Sequence, residues 1–167
     1  ERKYVCVTLH RPSNVDRHDR LERLWKFLNR VSGTVPVVFP MHPRTRKRLE
    51  DLSLPPPHPE CRVTEPLGYL DFLCLQRNAS AVLTDSGGVQ EETTYLGIPC
   101  LTLRPNTERP VTIHEGTNRL ADLQSDDVEA MLMDALRQPV KKGPACRIEG
   151  WDGEAAVRAV RAIEGLL

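Results

Sequence analysis

The chain has 167 residues, a length typical of one domain that can bury a core of its own. Basic and acidic residues number 23 each, so the formal net charge is zero, which argues against a dedicated nucleic-acid or membrane-surface binder. No apolar run approaches the ~20 residues of a membrane span, and five widely spaced cysteines without a Cys-x-x-Cys pair predict buried, reduced thiols in a cytoplasmic protein rather than disulfides or a metal site.

Apolar runs alternate with helical periodicity in the first part of the chain. Charged residues lead directly into a β-rich run at residues 3–9, which predicts a first strand and no signal peptide. A loop over residues 10–14 precedes a helix that starts near Asp16 and ends at Gly33. A strand at residues 35–39 and a helix from Pro43 to about Leu52 follow.

The alternation continues after the proline-rich segment 54–59, which can be neither helix nor central strand. We predict strands at residues 61–65, 80–84, 99–103 and 117–121, and helices at 69–78, from the turn after residue 84 to about 96, and at 108–114. The helix at 69–78 should place Leu70, Leu73 and Cys74 on one face. Two further helices are predicted, one capped by Ser125-Asp126-Asp127 and one with an apolar stripe of Ala156, Val160, Ile163 and Leu167.

Short, continuously apolar strands that alternate with helices indicate a parallel sheet covered on both faces. The predicted fold class is therefore α/β, a Rossmann-like three-layer α/β/α sandwich. Ligands in such folds bind outside the carboxyl ends of the strands. The polar loops predicted at that edge carry His10, Arg11, His42, Ser86, Gly87, Gly88, Glu92 and Arg109.

The segment from Leu83 to Glu92 predicts a strand, a tight turn and the start of a helix. Ser86-Gly87-Gly88 removes side-chain bulk where free N–H groups and the helix dipole would face a phosphate. Glu92 lies beyond this turn and suits the vicinal hydroxyls of a ribose. The alternative is an ordinary glycine turn with Ser86 as the N-cap.

Several side chains near this edge have both a functional and a structural interpretation. The imidazole of His10 could carry a proton or, with Arg11, hold a pyrophosphate, whereas a lone histidine after a strand is often a capping residue. His42 precedes a proline and could simply begin a helix. Phe72 could stack on a base or pack in the core.

Arg109 and the basic run from Arg44 to Arg48 could also be either functional or structural. Arg109 could clamp a phosphate through two hydrogen bonds, or it could pair with Glu108 or Glu115 at the surface. The basic run from Arg44 to Arg48 is most simply a solvated helix face. Because nucleic-acid binding normally uses aromatic rings to stack bases and such residues make up only 5% of the chain, nucleic-acid binding is not expected.

As an ordered set, these motifs resemble the non-hydrolysing UDP-N-acetylglucosamine 2-epimerases. Residues 84–92 match T-D-S-G-G-x-Q-E-E closely, and residues 8–16 are similar to the segment T-x-H-R-x-E-N-V. The remaining matches are H-P-R-T at 42–45, E-P-L-x-Y-x-x-F at 65–72, T-E-R-P at 107–110, G-T-N at 116–118 and a G-D-G-x-A-A-like segment at 151–156. The resemblance spans nearly the whole chain.

The resemblance implies that residues 1–167 are the C-terminal, UDP-binding domain, one half of a two-domain GT-B fold. An N-terminal domain of the same enzyme would supply acidic residues for the chemistry, the last helix could cross to it with its apolar stripe partly exposed, and the intact enzyme could be a homodimer. The implied reaction interconverts UDP-N-acetylglucosamine and UDP-N-acetylmannosamine by elimination and re-addition of UDP, in cell-surface polysaccharide biosynthesis, with no metal or other cofactor. The isolated domain would be inactive. Alternatives are a hydrolysing epimerase that releases UDP and N-acetylmannosamine, and a non-catalytic UDP-sugar-binding module.

The resemblance also implies residue roles. His10 would be the catalytic histidine that helps UDP depart, Glu92 would hold the ribose and Phe72 would lie beside the uracil. Arg11 and His42 match positions at which some members bind a second, activating UDP-sugar, but Ser13 and Pro12 depart from the family pattern beside them. The residues that would hold the diphosphate are Ser86, Gly87, Gly88 and Arg109.

Overall fold

A single parallel sheet organises the chain in a computed structural model that describes residues 4–124, 127–138 and 148–165. Its strand order is β3-β2-β1-β4-β5-β6, and every neighbouring pair is parallel. This order confirms the predicted Rossmann-like fold. The strands are β1 (Val5–Thr8), β2 (Val37–Pro40), β3 (Cys61–Thr64), β4 (Ala81–Thr84), β5 (Cys100–Leu103) and β6 (Asn118–Ala121).

Helices connect the strands. Strand β1 pairs with both β2 and β4, so the chain direction across the sheet reverses between β1 and β4. In folds of this kind, ligands bind in a crevice beyond the carboxyl ends of the strands at this reversal. The helices are α1 (Pro12–Val15), α2 (His18–Ser32), α3 (Pro43–Asp51), α4 (Tyr69–Arg77), α5 (Gly87–Leu96), α6 (Val111–His114), α7 (Val128–Arg137) and α8 (Ala155–Glu164).

The strands separate two hydrophobic cores. In β1, Val5 and Val7 belong to the larger core, whereas Cys6, between them, belongs to the smaller one. Strand β4 divides its side chains in the same way, with Leu83 on one side and Val82 on the other. This alternation follows from the pleat of a strand, and burial on both faces explains why the strands read as continuous apolar runs.

Two local predictions need correction. The predicted loop at residues 10–14 contains the short helix α1, with Pro12 at its first position, where a missing N–H costs nothing. The predicted apolar face of α4 is wrong: Leu70 is 76% exposed and Cys74 is also exposed, while Phe72, Leu75 and Gln76 face inward. Apolar residues occur almost all around this helix, so their spacing could not select the buried face.

The structure shows how α7 is capped and how far the apolar stripe of α8 is exposed. Asp127 caps α7, since its side chain accepts the backbone N–H of Ala130 at 2.9 Å, whereas Ser125 and Asp126 lie outside the described residues. Helix α8 has no buried residue within its described length, and Val160 and Ile163 are 54% and 59% exposed. Its apolar stripe is therefore uncovered, although Leu167, the last predicted member, lies outside the described residues.

The cysteines are largely as predicted. Cys6, Cys61 and Cys100 are buried free thiols, Cys74 is exposed, and Cys146 lies outside the described residues. Burial raises the pKa of Cys6 to about 12 and that of Cys100 to about 11, so both thiols stay protonated at neutral pH. Within the described ranges, no helix is long and apolar enough to cross a membrane, and no cluster of three or more potential metal-binding side chains occurs.

Candidate functional site

The loops after β1 and β4 meet at the crevice through one buried carboxylate. Asp85 is fully buried and follows β4 directly. It accepts the backbone N–H of His10 at 3.2 Å and that of Arg11 at 3.0 Å, together with the side-chain amide of Asn14 at 3.0 Å. The carboxylate thus anchors the loop that carries both predicted residues, His10 and Arg11, beside the turn that begins at Ser86.

Asn14 extends this anchor to a third loop. Its side-chain amide also donates to the carbonyl of Leu103, the last residue of β5, at 3.0 Å. The ring Nδ1 of His10 lies 3.3 Å from Oδ1 of Asp85, and 48% of the histidine side chain is exposed. One edge of the imidazole therefore faces a buried carboxylate while the rest of the ring remains accessible from the crevice.

The N-terminus of α5 is open. Ser86 is its N-cap residue with an extended backbone (φ −85°, ψ 134°), but its side chain makes no capping hydrogen bond within the described structure. Apart from its chain neighbours and the backbone of its own helix, a Cβ added to Gly87 or Gly88 would meet no atom of the described protein within 4 Å, and neither glycine has a positive φ. Neither backbone conformation nor protein contacts require these glycines, so their empty space and first-turn N–H groups are available to a ligand.

Arg109 pairs with neither Glu108 nor Glu115, the two carboxylates considered from the sequence. Its Nε lies 2.9 Å from Oε1 of Glu91 on α5. Glu108 instead binds the buried guanidinium of Arg104 through two hydrogen bonds of 2.8 and 2.6 Å, and this interaction lowers the pKa of Glu108 to about 2. Arg109 is therefore held next to the first turns of α5, where a phosphate could compete with Glu91 for it.

A buried polar network connects the turn at Ser86 with the loop that carries Arg109. Gln90, fully buried on α5, donates from Nε2 to the carbonyl of Ser86 at 3.2 Å. Its Oε1 accepts the Thr107 hydroxyl at 2.5 Å and the Asn118 amide at 3.1 Å. The Thr107 hydroxyl in turn accepts the backbone N–H of Arg109 at 3.0 Å.

The same network fixes the other side of Arg109. The Thr112 hydroxyl donates to the carbonyl of Arg109 at 2.7 Å and accepts from Asn118 at 3.2 Å. Asn118 is itself held by the Thr102 hydroxyl, which donates to its Oδ1 at 2.6 Å. Both backbone groups of Arg109 are therefore bound to side chains of one buried network, which positions the guanidinium relative to α5.

Glu92 and Phe72 lie at the junction of α4 and α5. The amide of the fully buried Gln76 donates to Oε2 of Glu92 at 2.7 Å, which orients that carboxylate. Phe72 is half-buried and packs against the smaller core, which includes Val89 of α5. Glu92 therefore lies on the helix that begins at the glycine turn, and Phe72 packs beside that helix.

His42 adopts the structural role considered for it. It is the N-cap of α3, and its Nδ1 accepts the backbone N–H of Arg44 at 3.2 Å. The Thr45 hydroxyl donates to the carbonyl of Leu9 at 3.1 Å, which holds the start of α3 against the end of β1. His42 thus lies at the same sheet edge as His10 but on the neighbouring loop.

The basic run of α3 is a surface ion-pair network. Arg44 binds Asp16, Arg46 binds Glu65 at 2.9 Å, and Arg48 lies 3.7 Å from Asp16. This arrangement agrees with a solvated helix face.

Sequence reasoning missed the buried polar residues that connect the site. Asp85, Asn14, Gln90 and Asn118 all lie within the matched motifs and carry side chains that cannot be buried without partners. For Asp85, the available signal was a carboxylate directly after the apolar strand β4.

Comparison with known proteins agrees with this geometry. The model of the UDP-N-acetylglucosamine 2-epimerase family matches residues 1–164. The UDP-N-acetylglucosamine 2-epimerase of Methanocaldococcus jannaschii is 38% identical over 165 residues, which cover 96% of this chain and 44% of that protein. The UDP-2,3-diacetamido-2,3-dideoxy-D-glucuronate 2-epimerase of Pseudomonas aeruginosa is 39% identical over 140 residues, covering 83% of this chain and 38% of that protein.

Among solved structures, the Methanocaldococcus jannaschii enzyme in complex with UDP-GlcNAc and UDP superimposes with a TM-score of 0.77 and 36% identity. The alignment covers 96% of this chain and 45% of that one, so the chain spans about half the length of the relatives it matches. This coverage is what one half of a two-domain fold would give. The chain belongs to the UDP-N-acetylglucosamine 2-epimerase family.

Proposed function

We propose that residues 1–167 form the C-terminal, UDP-binding domain of a non-hydrolysing epimerase that interconverts UDP-N-acetylglucosamine and UDP-N-acetylmannosamine. The observation that carries this proposal is the open N-terminus of α5, where no described atom beyond the chain neighbours and the helix's own backbone lies within 4 Å of a Cβ added to Gly87 or Gly88. The opening lies where the chain direction reverses across the sheet, which is the usual ligand site of this architecture.

In the proposed complex, the diphosphate lies on the Ser86 hydroxyl and on the first-turn N–H groups of Gly87 and Gly88, since the N–H of Ser86 already donates to the Thr84 hydroxyl at 3.0 Å. Arg109 exchanges its contact with Glu91 for a phosphate oxygen. The ribose hydroxyls bind Glu92, which Gln76 already orients at 2.7 Å. The uracil lies beside Phe72 at the start of the α4–α5 junction.

His10 acts on the leaving group in this proposal. A base on the N-terminal domain removes the proton at C2 of the sugar, the bond between C1 and the diphosphate oxygen breaks, and UDP leaves with the bonding electron pair. His10 would share a proton with the departing diphosphate oxygen and so stabilise the charge that develops on UDP. Re-addition of UDP to the resulting glycal, with a proton delivered to the opposite face of C2, gives the epimer. We assign no metal or redox cofactor to these steps.

The sugar and the fate of the intermediate define the alternatives. A hydrolysing epimerase would share the UDP contacts but add water and release N-acetylmannosamine, and a non-catalytic module would bind the UDP-sugar alone. The similarity to a UDP-2,3-diacetamido-2,3-dideoxy-D-glucuronate 2-epimerase makes such a sugar a second candidate substrate. Arg11 and His42 are proposed contacts of a second, activating UDP-sugar, although Ser13 replaces the glutamate usual there. The proposal further expects a cytoplasmic protein and, in the intact enzyme, a homodimer.

A titration with UDP followed by backbone amide chemical shifts tests the proposal. We expect the largest shifts at Ser86, Gly87, Gly88 and Glu92, weak affinity because one wall of the cleft is missing, and no epimerisation by this chain alone. Uridine should move the resonances near Phe72 and Glu92 but leave the glycine turn almost unchanged. Shifts confined to residues far from 86–92 would refute the site, and turnover by the 167-residue chain would refute the need for a second domain.

Gln90 provides a sharper test, since it holds the two proposed phosphate-binding elements together. Replacing Gln90 with leucine keeps the volume but removes its bonds to Ser86, Thr107 and Asn118. We expect UDP affinity to fall about tenfold, equivalent to ~1.4 kcal/mol, with less than a twofold change for uridine. Thr45→Val, which removes a buried hydroxyl bond on the other side of the crevice, is the control for loss of a buried polar group. Equal losses for UDP and uridine would show that Gln90 acts on the whole fold instead.

A further inference from the structure

The imidazole of His10 contacts the carboxylate of Asp85, and the proposed role of His10 on the leaving group does not explain this contact. Its Nδ1 lies 3.3 Å from Oδ1 of Asp85, a carboxylate with no solvent exposure. The distance is slightly longer than a typical N–H···O hydrogen bond, as is common for catalytic contacts before substrate closes a site. This contact joins the residue before the glycine turn to the proposed catalytic histidine.

The other contacts of Asp85 already suffice to hold the loop. The backbone N–H groups of His10 and Arg11 and the amide of Asn14 all donate to this carboxylate, and Asn14 further binds Leu103. A half-exposed histidine side chain is not needed to complete that anchor. Without a partner, its ring would be free to adopt several rotamers and either neutral tautomer.

We propose that Asp85 is a positioning residue that fixes the ring orientation and tautomer of His10. This inference rests on the proposed function, in which His10 acts on the leaving group. A carboxylate only accepts hydrogen bonds, so Nδ1, 3.3 Å from Oδ1, gains a hydrogen bond to it only when this nitrogen carries a proton. The neutral ring then has its proton on Nδ1, and Nε2, on the opposite side of the ring, is the nitrogen that exchanges a proton with the ligand. The buried carboxylate thereby holds the ring in the orientation that presents Nε2 to the ligand, as in other aspartate–histidine pairs.

The tautomer can be measured without any ligand. Long-range proton–nitrogen correlation spectra at neutral pH distinguish the two neutral forms, and His10→Gln identifies the His10 signals among those of the five histidines. We expect His10 to be protonated on Nδ1. Asp85→Asn should convert most of the population to the Nε2-protonated form, which free imidazoles favour. Protonation of His10 on Nε2 in the unmodified chain would overturn the proposal, even if the Asp85 variant failed to fold.

Asn14→Ala is the matched control, since it removes a bond to the same carboxylate and the link to Leu103 but leaves the His10–Asp85 contact. It should retain the Nδ1-protonated form, whereas conversion equal to that in Asp85→Asn would assign the effect to the loop as a whole and overturn the proposal. A parallel UDP titration separates the two claims. Failure of all variants and of the unmodified chain to bind UDP would refute the proposed function, while an unchanged tautomer in Asp85→Asn would refute only the role of Asp85.

Discussion

Replacing Gly88 with alanine should stabilise the fold and weaken the binding of UDP. Gly88 lies in the first turn of α5 with a negative φ, and an added methyl group meets no described atom within 4 Å other than its chain neighbours and the backbone of its own helix. Alanine at such a position restricts the unfolded chain and gains about 0.4–1 kcal/mol of stability. The same methyl group would occupy the space proposed for a phosphate oxygen, so we expect affinity for UDP to fall at least about tenfold, or ~1.4 kcal/mol.

Two measurements on one preparation of the Gly88→Ala variant test the expected gain in stability and loss of UDP affinity. Denaturant unfolding gives the free energy of unfolding, and a chemical-shift titration gives the UDP dissociation constant. Gly165→Ala is the control, because that glycine ends α8 with a negative φ and an added Cβ would make only ordinary contacts, at 3.5 Å or more. It should leave UDP binding unchanged. A Gly88→Ala variant that binds UDP as well as the unmodified chain would place the diphosphate elsewhere.

The prediction for Gly88 depends on whether this glycine serves the backbone turn or a ligand, which the sequence alone did not decide. The motif around Ser86 predicted an anion-binding turn, and the strand order placed that turn beside the loop of His10, as expected for this fold. Whether its glycines served a backbone turn or a ligand depended on φ angles and neighbouring atoms. These are tertiary properties, and they favour a ligand.

Other parts of the site depend on contacts between segments distant in sequence. Arg109 had two nearby carboxylates as candidate partners, yet it pairs with Glu91, because the loop after β5 folds back over α5. The orientation of α4 is set by Gln76, which reaches Glu92, and by Phe72, which reaches the smaller core. Sequence spacing reports which residues share a helix face but not which neighbouring element that face meets.

Replacing Gly116 with alanine should destabilise the fold. Unlike Gly88, Gly116 has no room for a side chain beside α6. An added Cβ would lie 2.4 Å from the carbonyl oxygen of Thr112 and 2.6 Å from two side-chain atoms of Thr94. Real Cβ atoms do not approach that closely, and one of the obstructing atoms belongs to the backbone. Overpacking of this kind costs about 1–3 kcal/mol. For a domain of this size, we expect the melting temperature to fall by roughly 2–12 °C.

The same change should weaken UDP binding through the buried network. Thr112 must move to admit the methyl group, and its hydroxyl holds the carbonyl of Arg109 at 2.7 Å. Thermal unfolding followed by circular dichroism, together with a UDP titration at a temperature where the variant is folded, measures both effects. Adding Thr94→Ala removes the side-chain part of the clash but leaves the carbonyl of Thr112 in place, so the double variant should recover only part of the stability. Recovery of stability without recovery of affinity would locate the binding defect at Thr112 and Arg109. Full stability of Gly116→Ala alone would mean that α6 shifts without cost, and the network could not then fix Arg109.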